Sequence, residues 1–126
     1  MGKNPTRRTI PVKGAAGMIQ YNKAVRDRIP DIIRASGKEC EVKVLAKDEF
    51  VEALAQKLQE ELDEYRQSGD VAELADLVEV VYAIVEHKGI SMADFERLRE
   101  EKLRARGGFK KRLLLTWVRE GTAGPK

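Results

Sequence analysis

The stretch that decides the fold is Glu60–Asp76, EELDEYRQSGDVAELAD, in which acids recur at helical spacing on both sides of a glycine. Glu61 and Glu64 lie three residues apart and share one helix face, as do Glu73 and Asp76 beyond the turn. Gly69 suits the left-handed position that ends a helix, and Asp70 with Glu73 has the form of a capping box opening the next. A turn this short leaves room only for an antiparallel helical hairpin. Facing positions in such a hairpin have residue numbers of constant sum, so Glu61 faces Asp76 and Glu64 faces Glu73. The two layers stand three residues apart, about 4.5 Å of helix rise. Four carboxylates then share one small volume if their faces turn inward.

The flanking residues argue that they do. Leu54, Leu58, Leu62 and Tyr65 form the apolar stripe of the first helix, with Glu61 at its edge. On the second helix Val71, Leu74, Leu77, Val78, Val80, Val81, Tyr82, Ile84 and Val85 cover most of the circumference, the mark of a buried helix. No Lys or Arg occurs from Gln67 to His87 to form a local salt bridge. Two carboxylates 4 Å apart repel by roughly 4 kcal/mol at an effective dielectric near 20, so such a group binds protons or a cation. Hard oxygen ligands without nitrogen or sulfur suit Mg²⁺, with Mn²⁺ a second choice. Glu60 and Glu79 fall off this face. The plainer alternatives are that capping alone explains Glu73, and that Glu60, Glu61 and Glu64 form a solvated acidic edge.

Outward from the hairpin, a short helix is predicted from near Pro30 to Gly37. Glu39 to Leu45 alternates polar and apolar residues, with Cys40, Val42 and Val44 on one face, as a strand does. Asp48 is a suitable cap for the long helix, which runs to about Gln67; the next helix runs to His87 and stops at Gly89. Ser91 opens a further helix to near Ala105, which Gly107 and Gly108 break. Arg112 to Val118 is a second predicted strand. The expected fold is mainly α, a helical hairpin or bundle with a small two-stranded β ribbon. Residues 1–17 are expected to be a flexible basic leader, 18–118 the domain and 119–126 a flexible tail, with Met18 an equally good start.

Composition narrows the function classes. The 126 residues have room for one domain, and 42% hydrophobic with 36% charged residues allow a core. The net charge of +3 comes from 24 basic and 21 acidic side chains, but Lys3, Arg7, Arg8 and Lys13 all lie in the acid-free leader. Without it, 20 basic residues face 21 acidic ones, which argues against a nucleic-acid partner. Cys40 is the only cysteine, so an intramolecular disulfide and a cysteine-based zinc site are excluded. The longest apolar run, Val80–Val85, falls far short of the roughly 20 residues of a membrane span. No apolar stretch follows the basic N-terminus as in a secretory signal, so a cytoplasmic location is the expectation.

Between Lys102 and Arg112 stand six basic residues (Lys102, Arg104, Arg106, Lys110, Lys111, Arg112) and no acid. Gly107 and Gly108 among them could bring backbone N–H groups close to an anion. A ligand joining this segment to a metal-loaded acid cluster would be a polyphosphate. Cations at a helix C-terminus also complement the helix dipole without any ligand. The same placement explains His87, the single histidine; Trp117 is expected in a core or interface, and Cys40 as a small buried residue.

These segments together resemble a family. EELDE at Glu60–Glu64 followed by ELAD at Glu73–Asp76 resembles the EExxE…ExxD signature of the all-α nucleoside triphosphate pyrophosphohydrolases, the MazG-like superfamily. YNKAVRDRIPDII at Tyr21–Ile33 resembles the YNKLVRDKIPEII opening of its small, phosphoribosyl-ATP-pyrophosphohydrolase-like members, and KLRARGGF at Lys102–Phe109 their closing K…RGGF. The likeness covers about residues 19–118 in the right order, and the short interval between Glu64 and Glu73 favours the compact branch. It implies Mg²⁺ ligands at Glu61, Glu64, Glu73 and Asp76, and a general base at Glu61 or Glu64. It also implies phosphate contacts at Lys102 and Arg106, with Lys23 and Arg26 as further candidates. The implied reaction converts a nucleoside triphosphate to its monophosphate and pyrophosphate, in a house-cleaning role. A phosphoribosyl-ATP pyrophosphohydrolase proper and a non-catalytic nucleotide- or RNA-binding helical dimer are the alternatives. The wide apolar surface of the second hairpin helix, in a body of about 109 residues, implies a homo-oligomer, a dimer in the simplest case.

Overall fold

Pro30 has the fixed backbone angle that a first helical turn needs, and helix α1 (Ile29–Ala35) forms around it. The structure is a computed structural model that describes Ile10, Pro11 and residues 17–121. Helix α2 (Lys47–Ser68) begins slightly earlier than Asp48 suggests, because Ala46 takes the cap position in extended conformation. Its N–H donates to the Glu49 carboxylate at 3.4 Å, and the Glu49 N–H donates to Asp48 Oδ1 at 2.9 Å. Acids in the first turn thus do the capping that the Ala46 side chain cannot.

Gly69 ends α2 with φ at +69°, and its N–H donates to the Tyr65 carbonyl at 2.7 Å. A residue with a Cβ would be strained there. Helix α3 (Val71–His87) begins two residues later, with Asp70 as N-cap accepting the Ala72 N–H at 3.0 Å. Helix α4 (Met92–Arg106) closes at Gly107, φ +82°, whose N–H donates to the Leu103 carbonyl at 2.8 Å. The chain divides into two compact units between Met92 and Ala93, so that nearly all of α4 and the residues beyond it belong to the second.

Within the first unit α2 and α3 form the expected antiparallel hairpin. Its register is marked at the open end by Phe50 and His87, whose rings meet edge to face at 5.2 Å. That pair obeys the same constant sum as Glu64 with Glu73, about 21 Å away at the turn end. Leu54 and Val80 are buried in the seam with Ala24, against Phe50, Ala53, Leu58, Ala83 and Ile84. Ala24 brings the segment around it onto the hairpin. The inward side of α2 runs Leu54, Lys57, Glu61 and Glu64, while Leu62 is exposed. The expectation of a nearly all-round buried α3 is not met by the single chain: Val80 and Val85 are buried, but Val71, Val78 and Tyr82 are exposed.

The fold is mainly α, as expected. The ribbon differs: Glu39–Leu45 and Arg112–Val118 form no strand, and the described pairing joins β1 (Ile10–Pro11) to β2 (Ile19–Gln20), antiparallel, with Ile10 opposite Gln20. Alternation prepares one apolar face, but a ladder also needs a partner for its backbone groups. Without one, Val44 and Leu113 to Leu115 stand exposed. The rest of the leader and residues 122–126 lie outside the described residues. No described helix is long and apolar enough to cross a membrane.

Two substitutions test this framework by urea denaturation. Leu54→Ala is expected to lower the unfolding free energy by about 2–5 kcal/mol through the cavity it leaves. Asp70→Ala is expected to cost about 1 kcal/mol through loss of the α3 cap.

Candidate metal centre

The turn between α2 and α3 determines what Glu73 can do. In a complete capping box its carboxylate would return to the Asp70 N–H. Here that N–H donates to Ser68 Oγ at 3.0 Å, and the Glu73 N–H donates to the Asp70 carbonyl at 3.0 Å. The Glu73 side chain is therefore available to face α2. Carboxylate oxygens of Glu61, Glu64 and Glu73 all lie within 4.8 Å of one another. Glu61 is 0% exposed and Glu64 3% exposed; Glu73 is half-buried. One oxygen of each (Glu61 Oε1, Glu64 Oε2 and Glu73 Oε1) is buried and accepts no hydrogen bond. The other oxygen of Glu61 has Lys57 Nζ at 3.7 Å, one turn back on the same helix.

The fourth acid of the sequence pattern stands apart. Asp76 Oδ1 accepts from Arg26 Nη2 at 2.9 Å and is not among the converging oxygens. Glu60, expected off the inward face, is buried instead, with Lys23 Nζ at 2.7 Å from one oxygen and Lys57 Nζ at 3.7 Å from the other. The two residues that the resemblance offers as further phosphate contacts, Lys23 and Arg26, thus sit on carboxylates of the hairpin. The lack of Lys and Arg from Gln67 to His87 is compensated by partners from elsewhere. Lys57 was readable in the pattern, since it lies at i,i+3 and i,i+4 from the two acids it meets. Lys23 carried no such signal, because it reaches Glu60 across 37 residues.

The donors are all hard oxygens, and ligands on opposite sides of Mg²⁺ lie about 4 Å apart, close to the spread found here. Glu61, Glu64 and Glu73 thus fit a hard divalent ion, with Asp76 one helical turn beyond Glu73.

The second unit is described by itself. Lys102 and Arg106 are exposed and share one face of α4 at i,i+4. Gly107 does not offer its N–H to an anion, since the helix C-cap uses it. Trp117 is exposed rather than in a core, with the Arg119 guanidinium 5.1 Å from its ring centre. In the first unit, His87 packs on Phe50, and half-buried Cys40 has its Sγ 3.9 Å from the Pro30 carbonyl.

Mutual repulsion in the cluster has a measurable consequence. At 4.8 Å two charges repel by roughly 3 kcal/mol at a dielectric near 20, and the partial exposure of Glu73 reduces this. Glu73→Gln is expected to stabilise the protein by about 1 kcal/mol when urea denaturation is measured in EDTA. An unchanged or lower stability would show that the three carboxylates do not repel as placed.

A stretch of 42 residues, 33% of the chain, is 52% identical to an uncharacterized protein of Mycolicibacterium smegmatis and spans 43% of that protein's length. No family model matches the chain, and no solved structure matches it.

Proposed function

We propose that this protein is a metal-dependent nucleoside triphosphate pyrophosphohydrolase that works as a homodimer in nucleotide house-cleaning. The observation that carries this reading is the convergence of Glu61, Glu64 and Glu73 oxygens within 4.8 Å, in a largely buried setting. The order of the three motifs along the chain supports it. Glu61, Glu64 and Glu73 would hold Mg²⁺ or Mn²⁺. A bound ion of this kind supplies Lewis acidity at a phosphoryl oxygen and makes a nearby water more acidic.

The protein's own groups then divide the remaining work. Lys57 Nζ stands 3.7 Å from one oxygen of Glu61 and steadies that carboxylate. Glu61 or Glu64 would accept the proton of the attacking water. Lys102 and Arg106, an ammonium and a guanidinium on one face of α4, are assigned to phosphate contact.

The homodimer is supported by apolar surface on the hairpin. A shallow apolar groove of about 330 Å³ is lined by Leu58, Leu62, Leu77 and Val81, and Val78 and Tyr82 are exposed on α3. A second hairpin would supply the burial that the composition of α3 calls for.

A pyrophosphate-release screen over normal, deoxy and modified nucleoside triphosphates tests the reading directly. Release is expected with Mg²⁺ and not in EDTA. Glu64→Gln is expected to lower kcat by about 100-fold or more, with an unchanged circular dichroism spectrum. Full activity in that variant, or cleavage of no triphosphate in the panel, would reject the assignment.

A further inference from the structure

We infer that the run Arg112–Val118 is a dimerisation strand, which pairs antiparallel with the same run of a second copy of this chain. This rests on the homodimer proposed above and names a contact that builds it; it depends on neither the metal nor the substrate.

Apolar residues fill this run, yet water surrounds it. Leu113, Leu114, Leu115, Trp117 and Val118 are 67–86% exposed, and only Thr116 interrupts them. The start of the run is fixed by a turn, in which Arg112 takes φ +58° and its N–H donates to the Phe109 carbonyl at 3.3 Å. Among the described residues, no backbone hydrogen bond joins Leu113–Val118 to another part of the chain. Its N–H and C=O groups are those of an open strand edge, on which another chain can pair. Thr116, Trp117 and Val118 are residue types that favour a strand.

The charges that flank the run choose its partner. A nucleic acid would be drawn to Lys110, Lys111 and Arg112, but leucines offer bases neither stacking nor hydrogen bonds. A second copy answers the apolar and the charged residues together. Two identical antiparallel strands on a twofold axis can pair only residues of one face, odd numbers with odd and even with even. With Thr116 on the axis, Leu115 faces Trp117 and Leu114 faces Val118, and Arg112 meets Glu120 at both ends. Leu113 then faces Arg119, whose guanidinium already lies 5.1 Å from the Trp117 ring centre. Moving the axis to Leu115 sets Lys111 against Arg119 at both ends, and moving it to Trp117 sets Leu114 against Glu120. Opposed pairs of matched character stabilise a ladder and like charges weaken it, so the Thr116 register is preferred. Two strands alone are marginal, but a hairpin contact in the same dimer raises their effective concentration.

The full-length protein tests this in two ways. In a Cys40→Ser background, Thr116→Cys is expected to join two chains by a disulfide on mild oxidation, while Leu113→Cys, opposite Arg119, is expected to do so about fivefold less. In analytical ultracentrifugation, Glu120→Lys is expected to weaken the dimer about tenfold, because it sets like charges together at both ends of the ladder. Adding Arg112→Glu to it should restore the dimer. No link at Thr116→Cys, or equal linking at the two positions, overturns the strand pairing, as does a dimer that Glu120→Lys leaves unchanged or that the double variant fails to restore. A wild-type dimer without these effects removes the strand pairing alone; a wild type that stays monomeric at every concentration removes the homodimer as well.

Discussion

Carboxylates occupy the seam between α2 and α3 near the turn, where a helical hairpin would ordinarily place leucines. Glu61 and Glu64 are buried there and Glu73 faces them. Grouped negative charge in a low-dielectric seam opposes folding unless something compensates it. Much of the first unit reads as that compensation. Lys57 stands one turn before Glu61 on the same helix, and Lys23 and Arg26 arrive from the segment before α1. Ala24 between them is small enough to enter the core, which is what lets the two flanking cations reach opposite helices of the hairpin.

The hairpin was readable in the sequence because it rests on local rules. Gly69 and Asp70 end one helix and start the next, and a turn that short fixes the register of everything beyond it. Phe50 meets His87 because of that turn, although neither residue announces the contact. The strands were not readable in the same way. The alternation at Glu39–Leu45 is genuine and Arg112–Val118 is an apolar run, but a strand is stable only in a ladder, and nothing local names the partner. Helices satisfy their own backbone groups, so pattern alone places them well; strands do not.

The candidate site divides along the same line. Glu61, Glu64 and Glu73 could be named in advance, since two helical spacings and one turn define their positions. Asp76 obeyed the same arithmetic, yet the arithmetic places backbone positions and is silent on which charge a side chain prefers. Arg26 lies in a segment without helical period, so its contact with Asp76 follows from how Ala24 packs rather than from spacing. Glu60 shows the limit of a strict face argument. A residue beside the seam can be buried where a segment outside the hairpin brings it a cation, as Lys23 does for Glu60.

The apolar interior formed by the described residues is small. Among the described residues Ala24, Leu54, Val80 and Val85 are the buried hydrophobic side chains, while much of the apolar surface of α3 and the groove beside it faces outward. A single chain with so little buried apolar area and a repelling acid cluster has little stability to draw on. Both deficits can be met by binding. A second hairpin on the groove would remove apolar surface from water at about 25 cal/mol per Å². A divalent ion that binds only the folded chain would add about 2.7 kcal/mol at a concentration 100 times its Kd. The two contributions act on the same pair of helices, so each favours the packed hairpin that the other requires. On the proposed reading, metal occupancy and assembly are therefore thermodynamically linked even though no ligand atom needs to touch the interface.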